Sequence, residues 1–321
     1  MFARRALARS ATSVRPFCRH QSDAALVQQW IRPQVATPLH ETQFETLSIT
    51  PSLADGLADS DPSILNVRLN RPKKLNSFSL QMWSELDTLF ELVEATPSIR
   101  AVVVRGEGRC FSSGIDLSAF ATLQQVLAAN PCEAKKREGL MAFIRRLQHV
   151  ISAPERCRVP VIAAVHGLAW GAAVDFVSAC DLRLSDASAD FSVKEIDLAI
   201  VADIGTLQRF PLLVGEQRAK ELSYTGRSFF GAEAASMGFV LENHVDAPAL
   251  FAAAAALAQS IASKSPLTIR GIKKTIHYRR DHSTEDSLRQ IELWNASMLQ
   301  SEDLVEAFTA MSTKTPAHFK D

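Results

Sequence analysis

Short runs of apolar residues in the first two thirds of the chain predict a set of strands. The run ILNVRL (64–69) partly alternates apolar with polar residues, as half-buried strands do. AVVVR (101–105) and VIAAV (161–165) are continuous apolar runs rich in β-branched residues and predict buried strands. LRLS (182–185) is also strand-like, and a further strand is expected within residues 44–49.

Apolar residues at three- and four-residue spacings predict helices between and after these strands. One helix begins after Ser79, which can accept a hydrogen bond from the first turn. A second follows the polar residues 129–137, and a third begins behind Gly171. From Gly205 onward the pattern is almost wholly helical, over residues 205–224, 231–237, 247–263, 266–280, 284–299 and 301–311.

The order of these elements predicts an α/β fold followed by a helical C-terminal region. At 321 residues the chain is long enough for a large core. We divide it into a leader (1–22), an irregular lead-in (23–61), an α/β body that contains the functional site (62–250) and a helical C-terminal region (251–321).

The leader has the composition of a mitochondrial transit peptide. It contains five arginines, several serines and no acidic residue, and it lacks the continuous apolar run of a secretory signal. A basic tail without a targeting role is the alternative interpretation. The C-terminal AHFKD is not a peroxisomal tripeptide. We therefore expect a mitochondrial matrix protein whose leader is cleaved.

The distribution of charge argues against nucleic acid as a partner. The chain has 35 basic and 35 acidic residues, and five of the basic ones lie in the leader. The remaining chain is therefore mildly acidic, and bulk electrostatic attraction to a phosphate backbone is not expected.

Cysteines and apolar stretches indicate neither a disulfide framework, nor a zinc site, nor a membrane span. The five cysteines are scattered and form no Cys-x-x-Cys pair. Residues 159–180 approach the length of a bilayer span, but Pro160, His166 and Asp175 interrupt them. A buried strand, a turn and a helix fit this stretch better.

Three acidic residues lie in segments that are otherwise apolar enough to be buried. Asp175 is in the first turn of an apolar helix, Glu195 ends the run FSVKE, and Asp203 lies among apolar residues. Burial raises the pKa of a carboxyl group toward the range useful for proton transfer. Each acid alone could instead be a cap or a hydrogen-bonded buried carboxylate. Three within 29 positions favour general acid/base chemistry without a metal ion.

Two small-residue loops each follow a strand and precede a helix. They are Ser113–Asp116 and Gly171–Val174. Helix N-termini present unpaired N–H groups that attract negative charge. If the loops approach each other, one N–H from each could bind a thioester oxygen and stabilise an enolate. The alternative is that small residues only allow helix and sheet to pack closely.

Basic residues supply candidate phosphate contacts. Lys73 and Lys74 precede the first helix, and Lys273 and Lys274 lie on a late helix. Either pair could meet phosphate groups, although solvated charge is the default interpretation of both. His166, at the end of a buried strand, is expected to be structural.

Taken together, these motifs resemble the crotonase (enoyl-CoA hydratase/isomerase) superfamily over residues 64–311. The matching segments are LNRPKKLNSFS, FSSGIDL, PVIAAVHGLAWGAAVDFVSACDLR and FSVKEIDLAIVADIGTLQRFP. The resemblance implies a spiral of ββα turns, a helical trimerisation region and a homo-oligomer, either a trimer or a dimer of trimers. The combination of Asp175, Glu195 and Asp203 is most similar to the dienoyl-CoA isomerase branch.

The resemblance also implies roles for individual residues. Ile115 and Ala172 would donate the two N–H groups of an oxyanion hole, with Ser113, Gly114, Asp116 and Leu117 in the surrounding substrate site. Glu195 and Asp203 would be an acid/base pair for a 1,5 proton shift that converts 3,5-dienoyl-CoA to 2,4-dienoyl-CoA. Asp175 would assist one of them. Coenzyme A would be part of the substrate, and no other cofactor is expected.

One departure from the family pattern is that its usual Gly-Gly-Gly reads Gly171-Ala172-Ala173 here. The added methyl groups are expected to narrow the acyl pocket or to shift the N–H donor. The rival activities are 2-enoyl-CoA hydratase and Δ3,Δ2-enoyl-CoA isomerase of the same fold. A crotonase-fold protein that binds RNA or another protein is a third alternative.

Overall fold

A computed structural model describes residues 37–51, 61–128 and 130–320. The leader and most of the lead-in lie outside the described residues. The nine strands of the described part are β1 (Leu47–Pro51), β2 (Ile64–Leu69), β3 (Ala101–Gly106), β4 (Val161–Val165), β5 (Leu168–Trp170), β6 (Leu182–Asp186), β7 (Asp190–Ser192), β8 (Phe229–Phe230) and β9 (Glu242–His244).

Helices separate and follow these strands. In the described residues they are α1 (Leu80–Ala95), α2 (Leu117–Ala128), α3 (Glu133–Ile151), α4 (Ala153–Arg156), α5 (Ala172–Ala179), α6 (Thr206–Val214), α7 (Glu216–Thr225), α8 (Gly231–Ser236), α9 (Ala247–Ala262), α10 (Pro266–Tyr278), α11 (Thr284–Met298) and α12 (Glu302–Thr313). The predicted cap is present, since Ser79 Oγ accepts a hydrogen bond from Met82 N.

The strands form two sheets. Six of them lie in the order β1-β2-β3-β4-β6-β9, where β1 is antiparallel and the others are parallel. A smaller sheet has the order β5-β7-β8. Isolated bridges from Phe78 to Ile115 and from Ser112 to Ala169 connect further backbone segments alongside the smaller sheet. The chain therefore repeats a long strand, a short strand or bridge and a helix, which is the expected ββα spiral.

Strand β4 and residues 101–104 of β3 are continuously apolar because both faces of the large sheet are covered there. Val102 and Val104 belong to the main hydrophobic cluster, which includes α1 and α5. Val103 and Ile162 face the opposite side and pack with the alanine-rich α9. The division proposed at residue 250 falls inside α9, so the first helix of the C-terminal region is part of the sheet's second core.

The pattern of apolar residues missed several short elements. It did not predict α4 or strands β5, β7, β8 and β9. The helix expected after the loop Ser113–Asp116 is α2. The polar residues 129–137 include the first turn of α3, and the helix predicted over 205–224 is two helices. Gly215, with φ +82°, separates them. Residues 159–180 form β4 and α5, the expected strand and helix, with the unpredicted β5 between them. No helix of the described residues is long and apolar enough to cross a membrane.

Candidate active site

The two small-residue loops predicted to share a site lie side by side. They occur at equivalent positions in successive turns of the spiral, before α2 and before α5. Trp170 N donates to Ser112 O at 3.2 Å. A Cβ placed on Gly114 would lie 2.5 Å from Trp170 O and 3.5 Å from Ala172 N. Gly114, with φ +91°, therefore lets the first loop pass directly beside the second.

Each loop leaves one N–H group without an internal acceptor. Phe78 exchanges hydrogen bonds with Gly114 O and Asp116 N, so the intervening Ile115 N–H points away from that bridge. Ala172 is the first residue of α5, where backbone N–H groups have no partner within the helix. Neither N–H meets an acceptor in the described parts of the chain. The pair has the composition of an oxyanion hole.

The alanines that replace two glycines of the family pattern are core residues. Ala172 is 4% exposed and Ala173 is fully buried, and both belong to the main hydrophobic cluster. The substitution therefore adds two methyl groups to packed interior surface and leaves both N–H groups in place. The effect of the two methyl groups on the acyl pocket stays a prediction.

The first loop is held by buried polar side chains. Ser112 Oγ donates to Asn76 O at 2.8 Å and accepts from Gly114 N at 3.1 Å. The Asn76 amide donates to Glu107 O and Cys110 O, both at 2.9 Å. Ser113 N donates to Leu75 O. These bonds fix the backbone that presents Ile115 N–H.

Asp116 and Leu117 lie at the start of α2. Asp116 Oδ1 accepts from Ser118 N and Oγ, and its Oδ2 accepts from Arg71 at 3.0 Å. The bonds from Ser118 and Arg71 lower the pKa of Asp116, so it is an ionised cap and ion-pair partner. Leu117 is 63% exposed.

The buried Asp175 and the half-buried Glu195 form a pair of neighbouring acids. Asp175 is fully buried on α5, and its Oδ1 accepts from Thr206 N at 2.5 Å. Glu195 lies on the 3-10 turn Lys194–Leu198. Asp175 Oδ2 and Glu195 Oε2 are buried without another partner of regular geometry in the described residues. Burial raises the pKa of both groups, and the neighbouring charge of Asp175 raises the pKa of Glu195 further. The pair therefore tends to keep one proton.

The acid pair adjoins the second loop. A Cβ on Gly171 would lie 3.4 Å from Glu195 Oε1, and Gly171 has φ +55°. A side chain at this position would occupy the space between the carboxyl group and the backbone just before Ala172 N. The positive φ of Gly171 favours glycine, and a Cβ there would be in van der Waals contact with the Glu195 carboxyl group.

Asp203 is the third acid and the most accessible. It lies on the turn before α6, where its carbonyl oxygen accepts from Gln148 Nε2 at 2.6 Å. Partial burial raises its pKa, and its charge in turn raises the pKa of Asp175 and of Glu195. All three predicted acids therefore belong to one electrostatic cluster, in which Glu195 lies against the second loop.

The prediction that Lys273 contacts a phosphate is wrong, because its side chain is buried. It is 8% exposed, and its Nζ donates to Pro154 O, Val159 O and Asp181 Oδ2 at 2.8, 2.9 and 2.6 Å. All three donors are used inside the protein, so Lys273 joins α10 to the start of β4 and has no donor left for a phosphate. Lys274 is exposed and lies over the Trp294 ring. Lys73 and Lys74 are exposed on the turn before α1.

Residues outside the predicted set complete the site. Thr206 N–H holds Asp175, while Ser112 and Asn76 fix the first loop. The glycine at 205, which allows the turn before Thr206, was the available signal for this backbone donor.

His166 is buried as expected, with Nε2 2.9 Å from Gly108 O. No cluster of three His, Cys, Asp or Glu residues suited to a metal ion occurs among residues 37–51, 61–128 and 130–320.

Comparison with known proteins gives one family. Residues 59–321 match the family described as enoyl-CoA hydratase/isomerase. The chain is 38% identical over 261 residues to the Δ3,5-Δ2,4-dienoyl-CoA isomerase of Arabidopsis thaliana peroxisomes, covering 81% of this chain and 94% of that protein. It is 40% identical over 269 residues to the human mitochondrial enzyme of the same name, covering 83% and 79%.

Solved structures of the family share the fold. The crystal structure of an enoyl-CoA hydratase from Bacillus anthracis matches with a TM-score of 0.74 and 28% identity. The match covers 86% of this chain and 99% of the bacterial one. The described α/β architecture is therefore that of a known enzyme fold.

Proposed function

Since this chain belongs to the enoyl-CoA hydratase/isomerase (crotonase) family and is an isomerase, we propose a specific reaction for it. The reaction is the conversion of 3,5-dienoyl-CoA to 2,4-dienoyl-CoA. The relatives named as dienoyl-CoA isomerases support this substrate. The observation that carries the proposal is the group of three acids, Asp175, Glu195 and Asp203, beside two free N–H groups.

The N–H groups of Ile115 and Ala172 bind the thioester oxygen in the proposed mechanism. Removal of a proton from C2 then places negative charge on that oxygen and along the conjugated chain as a dienolate. Two N–H donors in a protected site stabilise this charge as it develops. Delivery of a proton at C6 completes the 1,5 shift, so the reaction consumes neither water nor an oxidant.

Glu195 and Asp203 transfer the two protons from and to the substrate in this proposal. One carboxylate accepts the C2 proton, and the other, in its protonated form, donates to C6. A raised pKa suits both roles because each group must gain or lose a proton near neutral pH. Asp175 shares a proton with Glu195 and is itself held by Thr206 N–H, so it orients Glu195 and tunes its acidity.

An ultraviolet assay for the conjugated 2,4-dienoyl product tests the proposal. We expect wild-type protein to isomerise 3,5-dienoyl-CoA, and we expect Glu195→Gln and Asp203→Asn each to lower kcat by about 100-fold or more. Asp197→Asn is a matched control, because the exposed Asp197 lies on the same turn as Glu195 and pairs only with Lys194 among the described contacts. Near wild-type rates in both test variants would contradict the assigned roles.

The second candidate function is hydration of a 2-enoyl-CoA. The Asp175–Glu195 pair favours it, since a hydratase needs two carboxyl groups around one water molecule. Asp203 distinguishes the two activities, because hydration has no use for a third acid. Rapid hydration of crotonyl-CoA by protein that leaves 3,5-dienoyl-CoA unchanged would replace the first proposal with this one.

Substrate binding and assembly follow from the same proposal. Lys73, Lys74 and Lys274 are the remaining candidates for contacts to coenzyme A phosphates.

The C-terminal helices carry exposed apolar side chains, which suit a homo-oligomer, as a trimer or a dimer of trimers. They include Leu288, Leu293, Val305, Phe308 and Met311. Light scattering on the purified protein tests the assembly.

The proposed location is the mitochondrial matrix, where the enzyme would act in the oxidation of unsaturated fatty acids. Mitochondrial relatives support this location, and a peroxisomal relative is the alternative. Mass spectrometry of the protein isolated from mitochondria tests it, because cleavage of a transit peptide would give a new N-terminus within or just after the first 22 residues. Recovery in peroxisomes would contradict it.

A further inference from the structure

One turn of the backbone controls two of the three acids. It runs from Asp203 to Thr206, with Gly205 as the N-cap of α6. Its first residue is the accessible acid, and its last residue donates its N–H to Asp175 at 2.5 Å. A small displacement of this turn would therefore move one carboxyl group and release another.

Arg209 lies directly against this turn. Its side chain is 13% exposed, and a Cβ placed on Gly205 would overlap Arg209 Nη1. Gly205 has φ +139°, so both its conformation and the space beside it require glycine. The guanidinium group thus takes the place that a side chain would occupy at the turn.

Glu155 and Ser152 hold Arg209 in that position. Glu155 Oε2 accepts from Arg209 Nε at 3.0 Å and from Nη2 at 2.6 Å, and Ser152 Oγ accepts from Nη2 at 2.7 Å. The other Glu155 oxygen pairs with Arg280, which follows α10 in the C-terminal region. Glu155 is only 20% exposed, so this is a partly buried network and not a solvated pair.

Charge gives Arg209 a second connection to the acids. Arg209 and the buried Asp175 attract each other, and Asp175 in turn interacts with Glu195 and Asp203. Several other charged or titratable groups surround Arg209. They are Arg156, Glu155, Arg280, His277 and Cys180. Glu155 is the one acid of that set with direct hydrogen bonds to Arg209, so the arginine is balanced on one side by Glu155 and on the other by the acid cluster.

We propose that Arg209 is a positioning residue of the isomerase: braced by Glu155 and Arg280, it holds the Asp203–Thr206 turn and so places Asp203 and Asp175 for proton transfer. The inference rests on the proposed function, since its effect is measured on the isomerisation. Arg209 touches no reacting atom in this scheme and acts through the turn. The C-terminal region thereby contributes to catalysis through Arg280, at a distance from the substrate.

Arg209→Met tests the proposal. We expect kcat to fall by about 10- to 100-fold with KM changed less than about threefold, because misplaced proton-transfer groups affect the transition state more than substrate binding. The pH profile should also change. Loss of a positive charge near Asp175 raises the pKa of the acid pair, so the limb that reports its ionisation moves to higher pH.

Two other variants separate positioning from stability. Arg209→Lys keeps the positive charge but lacks the several N–H donors of the guanidinium group. The limb of the pH profile should therefore stay at its wild-type position, while kcat should be only partly retained. Arg227→Met is the control, because Arg227 also forms ion pairs through its guanidinium group, with Glu221 and Glu233. It should leave kcat and the pH profile unchanged.

Glu155→Gln and Arg280→Met keep the test decisive if Arg209→Met does not fold. Each should lower kcat in the same direction, and the loss in Glu155→Gln should be larger. Wild-type kcat in all folded variants would overturn the proposal, as would a fall in kcat explained by loss of folded protein with an unmoved pH profile. If wild-type protein fails to isomerise the dienoyl substrate, the proposed function fails instead.

Discussion

Asp175 and Glu195 bring two carboxyl groups into a buried part of the protein, where ionising both costs free energy. Thr206 N–H stabilises the ionised form of Asp175, and nothing comparable meets Glu195 Oε2 in the described residues. Glu195 is therefore the group that keeps its proton. Such a group is useful to a catalyst because it can exchange a proton near neutral pH, but it weakens the fold when it ionises.

We expect Glu195→Gln to stabilise the protein at neutral and alkaline pH. The folded-state pKa of Glu195 is raised well above about 4.3, the value in an unfolded chain. Between those two pKa values the folded state binds more protons than the unfolded state, so wild-type stability falls as pH rises. Glutamine removes this loss.

Urea unfolding at pH 5 and pH 8 measures the effect. The variant should exceed wild type by about 1 kcal/mol or more at pH 8, with a smaller difference at pH 5, since one pKa unit corresponds to about 1.4 kcal/mol. An equal difference at both pH values would contradict a raised pKa as the cause.

Gly171→Ala should block the site in front of Glu195. The new methyl group would lie 3.4 Å from Glu195 Oε1, in a backbone conformation with φ +55°. We expect about 1–3 kcal/mol of lost stability from backbone strain and at least about a tenfold loss of kcat.

Gly215→Ala is the control for backbone strain. Gly215 has φ +82°, and a Cβ there would meet nothing within 4 Å. It should lose stability by a similar amount without losing kcat. Equal kcat in the two variants would show that the space beside Gly171 is not used by the reaction.

At the scale of elements, the loop before α2 depends on a buried serine. Ser112 Oγ connects Asn76 O to Gly114 N and so fixes the peptide that precedes Ile115. A buried N–H and a buried carbonyl would both lose a partner if the hydroxyl were removed. The second loop needs no such bracing, because Gly171 N bonds to Ser192 O of the smaller sheet.

Ser112→Ala should therefore reduce both stability and turnover. We expect a loss of about 1–3 kcal/mol in the free energy of unfolding and a fall of about tenfold in kcat, because the oxyanion donor becomes less well placed. Ser178→Ala is the matched control, since Ser178 is a buried serine whose Oγ has no hydrogen-bond partner in the described chain. An unchanged kcat in Ser112→Ala would show that Ile115 N–H is held by its neighbours alone.

At the scale of the whole molecule, Lys273 joins the C-terminal helices to the sheet. Its ammonium group binds Asp181 and two carbonyl groups, and Asp181 also accepts from Val161 N at 2.8 Å. The residue predicted from sequence to contact a phosphate thus connects α10 to β4. Removing one partner of a buried ion pair leaves the other charge uncompensated.

We expect Lys273→Met to lower the free energy of unfolding by about 3–5 kcal/mol. KM for the acyl-CoA should stay the same in the fraction that remains folded, because Lys273 has no donor free for a phosphate. Lys274→Met is the control. Because Lys274 is exposed, its replacement should change the free energy of unfolding by less than about 0.5 kcal/mol. A raised KM in Lys273→Met with unchanged stability would restore the phosphate role.

The fold could be predicted from sequence where the signal is local. Val102 to Val104 and the run 161–165 indicated central strands because both faces of the sheet are buried, and Ser79 marked the start of α1 through its cap. The strands β5, β7 and β8 have three residues or fewer, which is too short for a periodic pattern. Their existence depends on pairing with distant backbone, which no local window contains.

The amino-acid sequence was sufficient to select the candidate residues of the site. These residues are three acids in apolar segments and two loops before helices. A buried charge or an unpaired N–H group costs free energy, so each indicates a binding partner or a function. Their mutual arrangement could be read only from the folded chain. It placed Glu195 beside Gly171, gave Asp175 the N–H of Thr206, and buried Lys273 under Asp181. Those outcomes depend on contacts between residues 24 to 92 positions apart, and it is these contacts that set pKa values, free donors and open space.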